Sequence, residues 1–168
     1  MSDLRARLRA GIPAGVVATV TMDVAMVAAA AIGGEAFASE RVDPAVIGRW
    51  GDGLLHGRWR HVDASREEPG TLDVPLGLMT HYVTGIVLTE AFVLVPWRRP
   101  GPAFAAAVAY GIATSVFPLF VLFPSLGYGP AGRHSGEAAR LARIMLGGHT
   151  AFGAGIGLGT ALLVARRR

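Results

Sequence analysis

The chain has 168 residues, a formal net charge of +4, no cysteine, 52% hydrophobic residues and only 17% charged residues. Because an average soluble domain has roughly 25% charged residues, this chain has too few polar side chains to cover a globule in water. The lack of cysteine excludes a disulfide scaffold, a thiolate zinc site and a cysteine nucleophile. The sequence also lacks the basic stripe with interleaved aromatic residues that would indicate a nucleic-acid partner.

Four long apolar stretches cover residues 11–34, 74–97, 102–126 and 144–165. Each is long enough to reach the roughly 20 residues that a helix needs to cross the hydrocarbon core of a bilayer. Helices are expected because an open strand cannot satisfy its backbone hydrogen bonds in lipid. The predicted fold class is therefore all-α: a polytopic membrane protein in which residues 1–168 form a single domain with a bundle of four transmembrane helices.

The first stretch contains one charged residue, Asp23, near its middle. Arg5, Arg7 and Arg9 before this stretch and Ala36-Phe37-Ala38 after it imitate a cleaved signal peptide. The apolar run is longer than the roughly 7–15 residues of a signal-peptide core, and Asp23 interrupts it. We therefore expect a retained transmembrane helix.

The segment 35–73 is polar but carries signals of a short helix. Asp43 is a good N-cap, and Pro44 follows at the first helical position. Apolar residues then fall on one side at helical spacing: Val46, Ile47, Trp50 and Leu54. This pattern predicts an amphipathic helix on the membrane surface between helices one and two, with membrane lipid as its partner. The Trp and Arg residues of the repeated Gly-Arg-Trp triplets suit the level of the lipid headgroups, which indicates an interfacial anchor. The alternative interpretation is that the segment covers a site as a lid.

The last two stretches carry packing signals. Pro118 frees the carbonyl group of Thr114 and predicts a kink in helix three. Helix four has small residues at steps of four, Gly147, Ala151, Gly155 and Gly159, which let helix backbones approach closely. This ridge predicts packing within the chain, and homodimerisation through the same ridge is the alternative.

The distribution of arginine predicts the orientation in the cytoplasmic membrane. With both termini in the cytoplasm, the short inner segments contain half of the sixteen arginines, while the outer half is spread over a much longer length. The inner group consists of Arg5, Arg7, Arg9, Arg98, Arg99, Arg166, Arg167 and Arg168. A dense group of arginines favours the cytoplasmic side.

Three polar residues lie within the predicted spans at depths that place them in the outer half of the bundle: Asp23, His81 and His149. An Asp at the centre of a span costs on the order of 3 kcal/mol to insert, so such residues usually face the bundle interior and have a partner. We predict that these three residues form a catalytic site for proton transfer, with Arg49, Arg60, His61 and Tyr82 binding the substrate. A metal ion held by the same three residues, a haem ligated by two histidines, an ion path and a structural hydrogen-bond network are the alternatives.

Short motifs along the chain resemble a bacterial family of small integral membrane proteins of unknown function. The motifs are Thr21-Met22-Asp23, Gly48-Arg49-Trp50, Arg60-His61, His81-Tyr82 with Gly85, Gly111 with Thr114 and Pro118, Pro124 with Gly127 and Gly129, and Arg140 with His149, Phe152, Gly153 and Gly155. The resemblance implies a four-helix membrane protein and directs attention to Asp23, Arg60, His61, His81 and His149. It implies no activity.

Three function classes remain open at this point. The first is a membrane enzyme that acts on a lipophilic substrate by acid–base or metal-assisted chemistry. The second is a small oligomeric transporter or channel, and the third is an accessory subunit whose polar groups only fix helix packing. The sequence contains none of the recurring catalytic motifs of serine hydrolases, zinc proteases or phosphate-binding loops.

Overall fold

A computed structural model describes residues 2–95 and 98–165, with side chains from 8 to 95 and from 98 to 161. Two parts of the sequence predictions lie outside these residues. One is the end of the second predicted span at Trp97, and the other is the group Arg166, Arg167 and Arg168 used to predict the orientation.

The described residues form helices and contain no strand, which confirms the all-α class. The α-helices are α1 (Ser2–Gly33), α2 (Pro44–Leu55), α3 (Asp73–Val93), α4 (Pro100–Thr114), α5 (Phe123–Ser125) and α6 (Ala138–Ala165). A π-helical turn at Pro118–Leu122 lies between α4 and α5, and short 3-10 turns occupy Gly34–Phe37, Glu40–Val42, Ala64–Arg66 and Pro130–Gly132.

Three helical segments among the described residues are long and apolar enough to cross a membrane: Leu8–Phe37, Asp73–Val93 and Pro100–Ser125. They correspond to the first three predicted spans. The fourth predicted span, 144–165, lies in α6, which is not one of these segments, so the number of four transmembrane helices is not confirmed.

The helix that contains Pro118 loses its regular hydrogen-bond pattern where the sequence predicts a kink. The α-helix α4 ends at Thr114, four residues before Pro118. Proline has no N–H to donate, and its ring clashes with the carbonyl group four residues earlier. The chain responds with a π-helical turn, in which the backbone N–H of Phe123 donates to the carbonyl oxygen of Pro118.

The chain forms two compact units, which are described separately. Among the described residues, the first unit falls within Met1–Val27, Tyr82–Thr114 and Gly147–Arg168. The second falls within Ala28–His81 and Ser115–Leu146. The single membrane domain expected for residues 1–168 stays a prediction.

Glycines of α6 bring the helices of the first unit together. A Cβ atom at Gly155 would lie 2.7 Å from the Cα atom of Ala18 in α1, and a Cβ atom at Gly153 would lie 2.5 Å from the carbonyl oxygen of Ala107 in α4. These two faces of α6 therefore pack backbone against backbone within the chain. A homodimer through the same glycines would have to replace these contacts, and homodimerisation stays a prediction.

In the second unit, α2 packs tightly against the start of α3. The N-cap is formed as predicted, because the Asp43 carboxylate accepts a hydrogen bond of 2.7 Å from the backbone N–H of Ala45. A Cβ atom at Gly48 would collide with the backbone of Asp73. Val46 and Trp50 are buried in the protein, whereas Leu54 is exposed, so only part of the predicted apolar face is available to a membrane surface.

The glycine contacts predict how substitutions in α6 affect stability. We expect Gly155→Leu to lower Tm strongly, because a side chain at this position must displace the α1 backbone; overpacking of this kind typically costs about 1–3 kcal/mol or more. Gly147→Leu is the matched control, since a Cβ atom at Gly147 meets no atom within 4 Å and the gain in helix propensity is the same in both variants. Equal Tm values for the two variants in detergent would show that the Gly155 face does not pack against α1.

Candidate functional site

The carboxylate of Asp23 has a tyrosine as its hydrogen-bond partner. The Tyr82 hydroxyl group on α3 donates a hydrogen bond of 2.9 Å to Oδ2 of Asp23 on α1. Both side chains belong to the first unit. Asp23, predicted near the centre of a span, therefore has a partner on another helix. Such a partner is expected because an unpaired Asp inside a span is costly.

A second polar pair joins α4 and α6 in the same unit. The Thr114 hydroxyl group donates to the carbonyl oxygen of Gly111 at 2.6 Å, and its oxygen lies 2.8 Å from Nδ1 of His149. Because a hydroxyl group has a single proton, Thr114 acts as the acceptor toward the imidazole. This arrangement assigns the proton of a neutral His149 ring to Nδ1 and makes Nε2 the basic nitrogen.

Each polar pair has a glycine contact about one helical turn away. A Cβ atom at Gly85, three residues after Tyr82, would collide with the hydroxyl group of Thr19, four residues before Asp23. A Cβ atom at Gly111, three residues before Thr114, would lie 2.5 Å from the Cα atom of Gly153. The close approach of the helices at each glycine lets the two side chains of each pair meet.

The four polar side chains are half-buried: Asp23, Tyr82, Thr114 and His149. Part of the surface of each of these side chains is therefore accessible. The first unit therefore combines two oriented hydrogen-bonded pairs with partial access. These groups can bind a polar atom of a ligand and exchange protons with it.

The structure places His81, the third predicted catalytic residue, on α3 directly before Tyr82, half-buried and within the second unit. The part of the chain that the structure describes contains no group of three or more His, Cys, Asp or Glu side chains that could hold a metal ion. The interpretation of Asp23, His81 and His149 as joint ligands of one metal ion therefore has no geometric support.

Two of the predicted substrate-binding residues take part in the internal structure of the second unit. Arg49 donates from Nε to the Asp73 carboxylate at 2.7 Å and from Nη1 to the carbonyl oxygen of Ala64 at 2.8 Å, and its side chain is only 10% exposed. The His61 side chain is completely buried, with Nδ1 2.7 Å from a carboxylate oxygen of Glu67. Arg60, by contrast, is exposed.

Thr114 is the site residue that sequence reasoning did not assign. Its signal was present, since it lies four residues before Pro118 and forms part of the motif with Gly111. Its partner, His149, was predicted as a site residue from its place in an apolar stretch. What the sequence could not supply was the rotation of α4 and α6 that turns these two side chains toward each other.

Comparison with known proteins identifies the family. A family model described as "Protein of unknown function (DUF2938)" matches residues 12–164. The chain belongs to this family. The family assignment agrees with the resemblance to an uncharacterised family that the motifs suggested, and the match includes all four residues of the polar pairs. No curated protein and no solved structure matches the chain.

The contacts of Arg49 predict a structural role that can be separated from ligand binding. We expect Arg49→Met to lower Tm strongly, because removing one partner of a buried ion pair typically costs about 3–5 kcal/mol. Arg58→Met is the matched control: this arginine is half-exposed and lies 3.5 Å from Glu67, so its loss should leave Tm nearly unchanged. Equal Tm values for the two variants in detergent would contradict the structural role.

Proposed function

We propose that this protein is an integral membrane protein that binds a lipophilic molecule and exchanges a proton with it at the two polar pairs of the first unit. In this proposal α6 crosses the membrane together with the three long apolar segments, and both termini lie on the cytoplasmic side of the cytoplasmic membrane. The arginine-rich short segments support this orientation. The family match supplies no activity, so the proposal rests on the geometry of the polar pairs.

The observation that carries the proposal is the hydrogen-bond geometry of the two pairs. Tyr82 directs its hydroxyl proton at the Asp23 carboxylate, and Thr114 fixes the His149 tautomer so that Nε2 is the basic nitrogen. One pair thus centres on a carboxylate and the other on a base whose ordinary pKa is near neutrality. A bound molecule with an acidic or basic oxygen or nitrogen could give a proton to one pair or accept one from it.

Two features favour a lipophilic ligand over a polar metabolite. Three of the four helices that carry the pairs, α1, α3 and α4, have the apolar composition of membrane spans, so a ligand reaches the pairs past apolar side chains. The face of α1 next to Asp23 also exposes large apolar side chains, including Val24 at 62% and Val27 at 71%. An isoprenoid, quinone or lipid fits this chemistry, because its apolar part stays in the hydrocarbon while one polar group meets the pairs.

The test is the identification of what the protein retains when it is purified in mild detergent. We expect mass spectrometry of an organic extract to show a lipophilic compound bound to the wild-type protein. Asp23→Asn keeps the shape of the side chain but loses the carboxylate charge, so this variant should lose most of the compound while Tm changes little. Tyr82→Phe should act in the same direction, because it removes the proton donor of the pair.

Asp52→Asn is the matched control, since it makes the same chemical change in α2, where the carboxylate is 43% exposed. This variant should retain the compound at the wild-type level. If Asp23→Asn folds and retains the compound as well as Asp52→Asn does, the polar pairs serve helix packing only, and the role of an accessory subunit takes the place of the proposed function.

A further inference from the structure

The second unit contains an open polar depression of about 500 Å³, called the cavity below. Its wall carries six charged side chains and no aromatic one. The charged residues are Glu35, Glu40, Arg41, Arg66, Glu137 and Arg140, and Ser39 and Ser65 complete the polar lining. None of these residues belongs to the polar pairs of the first unit.

Arg41 organises one side of this cavity. Its guanidinium group lies 2.9 Å from the Glu137 carboxylate and 3.2 Å from the Asp63 carboxylate, and it stacks over the ring of Tyr128. Burial alone would raise the pKa of Asp63, but hydrogen bonds from Ser65 and Arg41 and the positive charge of Arg41 outweigh it and lower this pKa. The ion pairs therefore form a fixed, charged frame.

The frame leaves hydrogen-bond donors unused on its arginines. Arg140 contacts Glu137 at 3.1 Å and Arg66 contacts Asp63 at 3.3 Å, and the Arg66 side chain is 81% exposed. A guanidinium group has five N–H donors, and these two arginines share carboxylates that Arg41 already engages. Donors on both arginines are thus available to an anionic ligand such as a phosphate group.

The cavity also contains carboxylates without a cation. Among the described residues, the carboxylates of Glu35 and Glu40 make no hydrogen bond or ion pair, and both residues are exposed at the wall. Asp63 and Glu137 are neutralised by the three arginines of the frame. In the wall, three carboxylates and three guanidinium groups balance in charge, and Glu35 and Glu40 are the two carboxylates without a cation. A positive group of a ligand can therefore pair with them.

We propose that this cavity binds the headgroup of a phospholipid that carries both a phosphate and a primary ammonium group, as phosphatidylethanolamine does. The unused N–H groups of Arg66 and Arg140 bind the phosphate oxygens, and the carboxylates of Glu35 and Glu40 accept hydrogen bonds from the ammonium group. A quaternary ammonium group is disfavoured because it has no N–H to donate and the wall lacks the aromatic rings that recognise such groups.

The position of the cavity in the chain supports a lipid as the source of this headgroup. The apolar segment Leu8–Phe37 ends two residues before Ser39, and α6 begins directly after Glu137. Residues that directly follow a membrane span lie at the level of the lipid headgroups. This inference uses the proposed membrane location but not the proposed proton chemistry of the first unit.

Native mass spectrometry of the detergent-solubilised protein tests the inference. The probes are palmitoyl-oleoyl phosphatidylethanolamine, phosphatidylglycerol and phosphatidylcholine, added singly at equal concentration. We expect phosphatidylethanolamine to bind roughly tenfold more tightly than the other two, since one charge-assisted hydrogen bond supplies a difference of this size. Equal binding of the three lipids would overturn the proposal.

Variants assign any preference to the cavity. Glu35→Gln combined with Glu40→Gln should remove the preference for the ethanolamine headgroup over choline. Glu68→Gln, an exposed glutamate outside the cavity wall, should keep it, as should Asp23→Asn, which alters only the polar pairs of the proposed function. A preference that survives the double substitution would place the lipid elsewhere on the protein. Binding of soluble phosphoethanolamine without binding of the lipid would identify a free metabolite as the ligand and overturn the lipid assignment.

Discussion

Backbone contact at glycine sets the distance between the helices of the first unit, and the polar pairs depend on that distance. In the proposed membrane location, hydrocarbon gives no hydrophobic drive for helices to associate, so close van der Waals packing and interhelical hydrogen bonds have to hold them together. Gly153 of α6 contacts α4 at Gly111, and Gly85 of α3 contacts α1 at Thr19. Asp and Thr have short side chains, which reach a partner on another helix only where the two backbones are this close.

The same constraint applies to α6. Its glycines contact α1 on one side and α4 on the other, so two faces of this helix pack without large side chains. Small residues at such contacts let helix backbones approach closely.

The sequence predicted the elements that depend on local chemistry. The Asp43 cap and Pro44 fix the start of α2, and Pro118 fixes the end of regular helix after Thr114. The predicted glycine ridge of α6 packs against α1 at Gly155, whereas Gly147 at its start meets no neighbour. The partners of the polar side chains depend on helix rotation, which no local signal records. Asp23 and His149 were therefore predicted as site residues, but their hydrogen bonds to Tyr82 and Thr114 were not.

The sequence also could not predict which side chains pair across long distances in the chain, because no local signal records these contacts. Arg49 and His61 were predicted to bind a substrate. In the structure, Arg49 donates a hydrogen bond to Asp73, which lies 24 residues away in the chain, and His61 is buried beside Glu67. Ser39 and Arg41 likewise reach Glu137, nearly a hundred residues later. Such contacts become visible only once the fold brings the segments together.

A double-substitution cycle on Gly111 and Thr114 tests most directly whether the glycine contact holds the polar pair. Thr114→Val removes the partner of His149 Nδ1, and Gly111→Ala forces α4 away from α6. If the close approach makes the hydrogen bond, Thr114→Val lowers Tm in the wild-type background and has almost no further effect in the Gly111→Ala background, because the bond is already lost. Two effects on Tm that simply add would show that the hydrogen bond does not depend on the glycine contact, and would contradict the account.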